Sequence, residues 1–430
     1  MSKSDNIKAV KGMNDILPER TIIWQRVEAE CAALFANYGY RQIRTPMVES
    51  TQLFARSIGE ETDIVAKEMY TFADRNDDSL TLRPEGTAST VRAGIQNGLF
   101  YNQQQRLWYQ GPMFRYERPQ KGRYRQFHQL GLECYGWSGV DIEAEVFSLT
   151  QQLFKRLGLA NTYLNINSLG DKASRSAFRV ALLDYLSGHV DQLDSDSQRR
   201  MTTNPLRILD SKNEQVQAIL LEAPSILDYL SPASKASFEQ LQAYLQALEI
   251  DYQVNPRLVR GLDYYNDTVF EWINPGFGAQ ATVCGGGRYD QMVEQLGGPA
   301  TPAFGFGMGM ERLVQILEEQ EAGITQSPES QDVYIVSTLG NARSLALMVQ
   351  KQLVAAGVSV LCHMGESSFK NQFKKADKSG ARIALVIGDD EIAQDSIAVK
   401  TLIATQNGQE QQTISKNDVI HVVTNLLKRL

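Results

Sequence analysis

The chain has 430 residues and a formal net charge of −7, a balance that argues against an unspecific coat for nucleic acid. With 43% hydrophobic residues and no apolar run near the roughly 20 residues that span a bilayer, the composition predicts a globular protein without a membrane partner. The N-terminal sequence contains no hydrophobic signal region, which predicts a cytoplasmic location.

A long helix followed by a strand is the first predicted unit. Apolar residues recur at helical spacing over 21–38, and the pattern ends at Gly39. The following residues, QIRTP, predict a strand that is stopped by Pro46. The pattern leaves two interpretations open, a core helix with an edge strand or an element of a subunit contact.

Unusual chemistry is concentrated in residues 109–136, where two strand-like runs flank a charged turn marked by Pro119 and Gly122. Because a strand alternates faces, we expect a core face and a polar face. The residues predicted on the core face are Tyr124, His128, Leu130, Leu132 and Cys134. Those predicted on the polar face are Gly111, Arg115, Glu117, Arg123, Arg125, Gln129, Gly131 and Glu133. Several cations beside glycines favour a phosphate-bearing ligand over a solvated charged face.

The rest of the chain predicts a helical insertion and a separate final module. A helix at 141–157 is followed by a polar, helical stretch at about 171–250. TVFEWI and AQATVC predict a hairpin, and the strand AFGFGM continues into the helix GMERLVQILEEQ. Residues 318–330 are the best linker candidate, and the alternation of strands and helices over 331–430 indicates an α/β module.

Several segments together resemble the histidyl-tRNA synthetase family of class II aminoacyl-tRNA synthetases. FRYERPQKGRYRQFHQLGLECYG resembles the family's motif 2. The resemblance extends in order and spacing over nearly all of the chain, through five other segments. These are GYRQIRTPMVES (39–50, motif 1), TLRPEGT (81–87, histidine-site loop), LVRGLDYYNDTVFE (258–271, histidine signature), CGGGRYD (284–290, companion loop) and AFGFGMGMERL (303–313, motif 3). Gln291 and Met292 depart from the Gly-Leu that commonly follows in the family.

The resemblance implies an α+β fold and an activity. The implied fold is an antiparallel sheet flanked by helices in a core at 1–325, with the helical insertion and a C-terminal α/β anticodon-binding domain at 331–430. The implied enzyme activates L-histidine with ATP and Mg²⁺ and transfers it to the 3′ end of tRNA(His) as a homodimer. No metal is expected from the protein alone, because Cys31, Cys134, Cys284 and Cys362 are scattered and predicted to be reduced and buried.

The resemblance also assigns roles to single residues. Arg115 and Arg260 are implied as the catalytic cations. The implied ATP-binding residues are Arg115, Glu117, Arg123 and Arg312. The implied histidine-binding residues are Glu85, Thr87 and Gln129 at the amino group, Glu133 and Tyr265 at the ring, and Arg260 and Tyr264 beside them. The candidate tRNA contacts are Gln120, Lys370, Lys374 and Lys375, although a solvated helix face explains these lysines equally well.

Two other classes of protein are alternative interpretations of this sequence. The regulatory subunit of ATP phosphoribosyltransferase shares the fold but typically has no C-terminal module and loses the signature residues. This chain keeps Arg115, Arg260, Arg312 and about 100 final residues. A tRNA-sensing module fused to a kinase does not fit, because no kinase segment exists within this length. The sequence therefore favours the enzyme.

Overall fold

The structure, a computed structural model, describes residues 7–59, 62–120, 122–159, 161–276, 281–320, 331–403 and 411–430. The chain divides into two units, Met1–Glu321 and Ala322–Leu430, each with its own apolar core. Most of the predicted linker lies outside the described residues, so the domain boundaries at 325 and 331 stay predictions. Among the helices of the described ranges, none is long and apolar enough to cross a membrane.

The first unit is built on a large, mainly antiparallel sheet. Its strands are β1 (Arg41–Gln42), β2 (Val48–Ser50), β3 (Tyr70–Ala73), β4 (Ser79–Leu82), β5 (Gln105–Phe114), β6 (Gln126–Tyr135), β7 (Tyr163–Ser168), β8 (Tyr252–Val254), β9 (Asn266–Ile273), β10 (Thr282–Arg288) and β11 (Ala303–Gly309). Eight of them form one sheet in the order β1-β5-β6-β11-β10-β9-β7-β8, with parallel pairing only at its two ends. The remaining three form a small antiparallel sheet, β2-β4-β3.

Helices cover the large sheet and form the insertion. They are α1 (Pro18–Asn37), α2 (Thr51–Ile58), α3 (Thr87–Gln96), α4 (Asp141–Leu157), α5 (Lys172–Ser187), α6 (Ser195–Thr203), α7 (Glu214–Leu220), α8 (Pro232–Ala247), α9 (Met292–Gln295) and α10 (Met310–Gln320). Apolar residues of α1, α4, α8 and α10 share one core with those of the central strands. The expected α+β fold, an antiparallel sheet flanked by helices, is confirmed.

The helices begin and end where local chemistry favours it. α1 starts at Pro18, three residues before the predicted start, because the fixed φ of proline suits the first turn of a helix. The helix predicted at 141–157 is confirmed as α4, which ends at Gly158 with φ of +73°. In the insertion, Asp171 and Asp194 accept hydrogen bonds from backbone N–H groups that open α5 and α6, at 2.8 and 2.9 Å.

Three local predictions are wrong. The strand predicted at QIRTP is only the two-residue β1, because the carbonyl oxygens of Thr45 and Pro46 bind the side chain of Arg83 instead of a neighbouring strand. The companion loop CGGGRYD is mostly strand β10. The alternation of faces does not reach Arg115, Glu117 or 123–125, because the ladder of the hairpin ends at Phe114 and Gln126.

The second unit is an α/β layer structure, as predicted. Its elements are β12 (Val333–Ser337), α11 (Asn341–Ala355), β13 (Val360–Cys362), α12 (Phe369–Lys378), β14 (Ile383–Ile387), α13 (Asp389–Ala393), β15 (Ser396–Thr401), β16 (Gln411–Ser415) and α14 (Val419–Leu427). The sheet order is β13-β12-β14-β15-β16, and β12 is parallel to both of its neighbours. The sequence did not predict the short helix α13 or the strand β16.

Candidate active site

A polar cavity of about 260 Å³ lies in the first unit, where residues from six segments meet. Ten of the predicted site residues line it. They are Glu85, Thr87, Arg115, Glu117, Arg123, Gln129, Arg260, Tyr264, Tyr265 and Arg312. Four of these ten carry guanidinium groups, so the cavity has the charge that an anionic ligand requires.

Arg115 follows the last residue of β5 and is held from three sides. Its Nε donates to the carbonyl oxygen of Pro84 at 2.9 Å, and its guanidinium lies 5.2 Å from the centre of the Phe127 ring. Its Nη1 is 4.0 Å from a carboxylate oxygen of Glu117, which also lies 3.4 Å from Arg123. The carbonyl bond fixes one edge of the Arg115 guanidinium and leaves the other edge for a ligand.

Arg260 approaches the same cavity from the segment before β9. Its Nη1 donates to Glu271, a residue of β9 that the sequence analysis did not single out. The guanidinium lies over Gly285 of β10, where an added Cβ atom would be 2.5 Å from Nη1. The glycine therefore leaves the space that the arginine side chain occupies.

Arg312 is the third cation and lies in the first turn of α10. Its Nη1 donates to the carbonyl oxygen of Thr282 at 2.5 Å, and its Nε to that of Gly122 at 3.4 Å. Burial, followed by the charge of Arg123, lowers the pKa of Arg312. A cation that is buried beside another cation is stabilised when an anion binds between them.

The same cavity also carries acidic and amide groups. The Glu85 carboxylate accepts hydrogen bonds from the backbone N–H groups of Thr87 and Ala88, both at 2.8 Å. The amide oxygen of Gln129 accepts from the Gly86 N–H at 3.1 Å. This bond leaves the NH₂ group of Gln129 beside Gly307, in a cavity wall without a side chain.

Glu133 does not line the cavity, although it belongs to the predicted histidine site. It is fully buried behind Thr87, which lines the cavity. It accepts hydrogen bonds from the hydroxyl groups of Thr87 at 2.7 Å, Tyr109 at 3.2 Å and Tyr289. Burial raises the pKa of Glu133 to about 8, and the hydroxyl donors act in the opposite direction. Tyr109 and Tyr289, which donate to this predicted site residue, were not among the site residues predicted from the sequence.

A local signal in the sequence points to Tyr109. The tyrosine pairs directly with Gly131 across the β5–β6 ladder, and an added Cβ atom at Gly131 or Gly86 would overlap the tyrosine ring. A glycine opposite an aromatic residue is a recognisable pattern in antiparallel sheets. No comparable signal exists for the bond between His128 and Glu311, whose side chains are 3.0 Å apart but 183 positions apart in the chain.

The candidate tRNA contacts are not among the residues that line the cavity. Gln120 is exposed in the turn between β5 and β6 and pairs with Arg123 through two backbone hydrogen bonds. Lys370, Lys374 and Lys375 are exposed on α12 of the second unit. Among the described residues, no cluster of three or more His, Cys, Asp or Glu side chains is arranged to hold a metal ion.

Known protein families match both units of the chain. The family model described as "Histidyl-tRNA synthetase" matches residues 12–313, and the one described as "Anticodon binding domain" matches residues 332–426. A histidine--tRNA ligase from Laribacter hongkongensis (strain HLHK9) is 54% identical over 419 residues, which are 97% of this chain and 98% of that protein.

Solved structures show the same fold. The apo histidyl-tRNA synthetase of S. aureus is 38% identical, has a TM-score of 0.80, and the match covers 97% of this chain and 100% of that one. An ATP phosphoribosyltransferase regulatory subunit/histidyl-tRNA synthetase from Bacillus halodurans has a TM-score of 0.65 at 21% identity, with 90% and 99% of the two chains covered. At that identity the likeness shows the fold alone.

Proposed function

The chain belongs to the histidyl-tRNA synthetase family, and from this premise we propose which of its side chains carry out the reaction. It is a histidine–tRNA ligase, which forms histidyl-adenylate and pyrophosphate from L-histidine and ATP and then transfers histidine to tRNA. The observation that carries the proposal is the meeting of Arg115, Arg260 and Arg312 in one cavity with acidic and amide groups.

Adenylate formation brings two anions together. A carboxylate oxygen of histidine attacks the α-phosphorus of ATP, a new P–O bond forms, and the bond to the pyrophosphate oxygen breaks. Fixed cations are the main means of lowering such a barrier. In the proposal, Arg115 and Arg260 bind the α-phosphate and the attacking carboxylate, and the bonds to Pro84 and Glu271 hold them in place before substrates arrive.

Arg123, Arg312 and Glu117 complete the proposed nucleotide site. Arg312 and Arg123 would neutralise the leaving pyrophosphate, and their mutual repulsion would fall when it binds. Glu117 has 16% side-chain exposure and lies between Arg115 and Arg123. Among the described residues no group of three or more potential metal ligands accompanies it. Mg²⁺ therefore fits the site only as a partner of the ATP phosphates. When bound, the ion would neutralise charge on the phosphate oxygens.

Glu85, Thr87, Gln129, Glu133, Tyr264 and Tyr265 form the proposed histidine site. The Glu85 carboxylate suits an ammonium group, and the side-chain amide of Gln129, whose oxygen accepts one hydrogen bond from Gly86, lines the same cavity. Tyr264 and Tyr265, whose ring centres are 4.5 Å apart, would pack against the imidazole while Tyr265 and Glu133 bond its nitrogens. Amino acids without ring N–H groups would leave these buried polar groups unpaired, which disfavours them.

The tRNA substrate is proposed to contact both units. A polar groove beside the cavity is lined by acidic residues and by Arg200, Arg207 and Lys212 of the insertion, which pair with Asp63 and Asp210. In the proposal, phosphates of the acceptor end compete with these carboxylates for the three cations. Gln120 in the motif 2 turn is a further candidate there. Lys370, Lys374 and Lys375 are the proposed contacts of the C-terminal anticodon-binding domain, 331–430.

The proposal also includes a homodimer in the cytoplasm. Three large apolar side chains in or next to the small sheet β2-β4-β3 are exposed, namely Met47, Val48 and Phe72 at 50, 40 and 45%. Clustered exposed apolar residues are typical of subunit contacts. Sedimentation of the purified chain as a single species of twice the chain mass supports the dimer, and a species of the chain mass would contradict it.

Removal of Arg260 tests the proposed chemistry most simply. We expect Arg260→Ala to lower the kcat of histidine-dependent ATP–pyrophosphate exchange by about 10³-fold, the size typical of a lost electrostatic contact in a transition state. The exposed Arg75 of the first unit provides a control in Arg75→Ala, which should exchange at the wild-type rate. Wild-type exchange by Arg260→Ala would overturn its catalytic role.

A further inference from the structure

Arg83 is a buried cation that the proposed reaction leaves without a role. Only 5% of the residue is exposed, and it follows β4 directly, outside the cavity. Its hydrogen bonds go to neutral oxygen atoms: Nε donates to the Pro112 carbonyl at 2.9 Å, and Nη1 to the carbonyl and hydroxyl oxygens of Thr45 at 2.9 and 3.0 Å. Burial lowers the pKa of Arg83.

A buried cation with such partners is an expensive way to fill space. An apolar side chain would fill the same volume without loss of hydration, so the value of the arginine lies in the fork of donors that it presents. The fork spans two segments, the end of β5 and the stretch after β1. The backbone of Arg83 adds a third link, since its N–H donates to Met47 O at 2.9 Å and its carbonyl accepts from Phe114 N at 3.0 Å.

The residues after Arg83 face the cavity. The carbonyl oxygen of Pro84 accepts the Nε hydrogen bond of Arg115 at 2.9 Å. Glu85 lines the cavity, and the Gly86 N–H donates to the side chain of Gln129. The position of this short segment therefore sets the orientation of one proposed catalytic cation and of two proposed histidine contacts.

We propose that Arg83 is a positioning residue for adenylate formation, which anchors the segment 83–86 to β5 and so fixes the Pro84 carbonyl that orients Arg115. The inference rests on the proposed role of Arg115. It differs from a general role in folding, because it predicts a defect in turnover at sites that are folded and able to bind both substrates.

Arg83→Gln and Arg83→Lys test the inference in the full-length chain. Neither side chain can donate to Pro112 and Thr45 with the geometry of the guanidinium. We expect the kcat of exchange, per active site titrated by a burst of adenylate, to fall about 100-fold, the effect of a displacement of about 1 Å at a reacting group. The KM for ATP should change less than about threefold, because the proposed ATP-binding side chains Arg123 and Arg312 do not belong to the segment 83–86. Wild-type kcat per titrated site in both variants would overturn the inference.

Gly111→Ala moves the same guanidinium from the other side. An added Cβ atom at Gly111 would lie 2.5 Å from Nη2 of Arg83, at the movable end of the side chain. We expect a lower kcat with an unchanged KM for ATP here as well, so the inference can fail even where the Arg83 variants do not fold. Arg106→Lys is the matched control on β5, because Arg106 pairs with Glu145 at 2.9 Å away from the cavity, and its kcat should be that of the wild type.

Arg115→Lys separates the two levels of the proposal. Normal exchange by Arg115→Lys would overturn the proposed function of Arg115 itself, together with the inference that depends on it. Loss of exchange in Arg115→Lys, combined with wild-type kcat in the Arg83 and Gly111 variants, would overturn the positioning role alone.

Discussion

The carboxyl group of Glu133 illustrates how a single residue can be set by its surroundings. Three hydroxyl groups donate to its two oxygens, Thr87 and Tyr109 to one and Tyr289 to the other. In its ionised form the group offers about four acceptor positions, so the three hydroxyl donors leave one position, on the second oxygen, for a ligand N–H. The arrangement suits recognition of a ring nitrogen once the ligand reaches past the cavity wall.

Glu133 should make stability depend on pH. Burial raises its pKa from 4.5 to about 8, so between these values the unfolded chain has lost a proton that the folded chain retains. Stability from this group therefore falls as pH rises from about 4.5 to 8 and is constant above that range, with a total change on the order of a few kcal/mol.

Comparison with Glu133→Gln isolates this effect, because the neighbouring buried Glu85 titrates in both proteins. Melting temperatures measured from pH 5 to 8.5 should show the wild type losing stability relative to the variant as pH rises. Parallel curves for the two proteins would show that Glu133 ionises in the folded state as it does in water.

The sequence predicted single site residues where they lie in segments whose order along the chain resembles that of the family. Arg115, Arg260 and Arg312 meet in one cavity as expected, although alternation along a strand could not have placed Arg115, which lies beyond the ladder. Glu271 was not predictable. Its role as partner of Arg260 depends on how the segment before β9 folds back over β10, and no local pattern encodes that approach.

Strand β10 shows how one element serves both the fold and the site. Its three consecutive glycines have different neighbours. The guanidinium of Arg260 lies over Gly285, and the backbone of Gly305 on β11 lies against Gly286. A Cβ atom added at Gly287 would be 2.4 Å from the carbonyl oxygen of Thr268 on β9. A side chain at the first position would displace a movable group. A side chain at the second would meet fixed backbone.

The two positions should therefore fail in different ways. We expect Gly285→Ala to fold with a melting temperature near that of the wild type and to exchange at least about tenfold more slowly, because Arg260 is displaced. Gly286→Ala should lower the free energy of unfolding by about 1–3 kcal/mol or more, as overpacking of a core does.

Melting curves and exchange rates of both variants measure this difference. Equal losses of stability in Gly285→Ala and Gly286→Ala would contradict the assignment of the first glycine to the site and the second to the sheet.

Elements were predictable where a pattern is long and local. The helices at 18–37 and 141–157 have clear periods and end at glycines, so the sequence located them within three residues. The strand predicted at QIRTP is short because Arg83, 38 positions after Thr45 and 37 after Pro46, binds the carbonyl oxygens that a strand partner would need. The small sheet β2-β4-β3 was missed because its strands have only three or four residues.

At the scale of the whole molecule, the proposal assigns adenylate chemistry to the first unit and anticodon recognition to the second. The first unit contains the cavity with the three arginines, and the second is an α/β unit that matches an anticodon-binding family model. The alternation of strands and helices predicted the second unit, whereas its domain boundary lies outside the described residues and stays a prediction.

Replacement of the α12 lysines tests the division. We expect Lys370→Ala, Lys374→Ala and Lys375→Ala combined to raise the KM for tRNA about tenfold or more and to reduce the salt dependence of aminoacylation, because each lost phosphate contact removes a released counterion. Histidine-dependent exchange should be unchanged. Lys351→Ala on α11, which is also exposed, serves as the control. An unchanged KM for tRNA would assign the α12 lysines to a solvated helix face.

Arg115, Arg260 and Arg312, from three distant segments, are proposed to bind one nucleotide beside a histidine site. A crystal structure with ATP and histidinol, which has no carboxylate to react, measures this directly. We predict that Arg115 and Arg260 lie within about 3.2 Å of α-phosphate oxygens and that Arg312 contacts the terminal phosphates. A nucleotide bound away from this cavity, or bound in it without these contacts, would contradict the account.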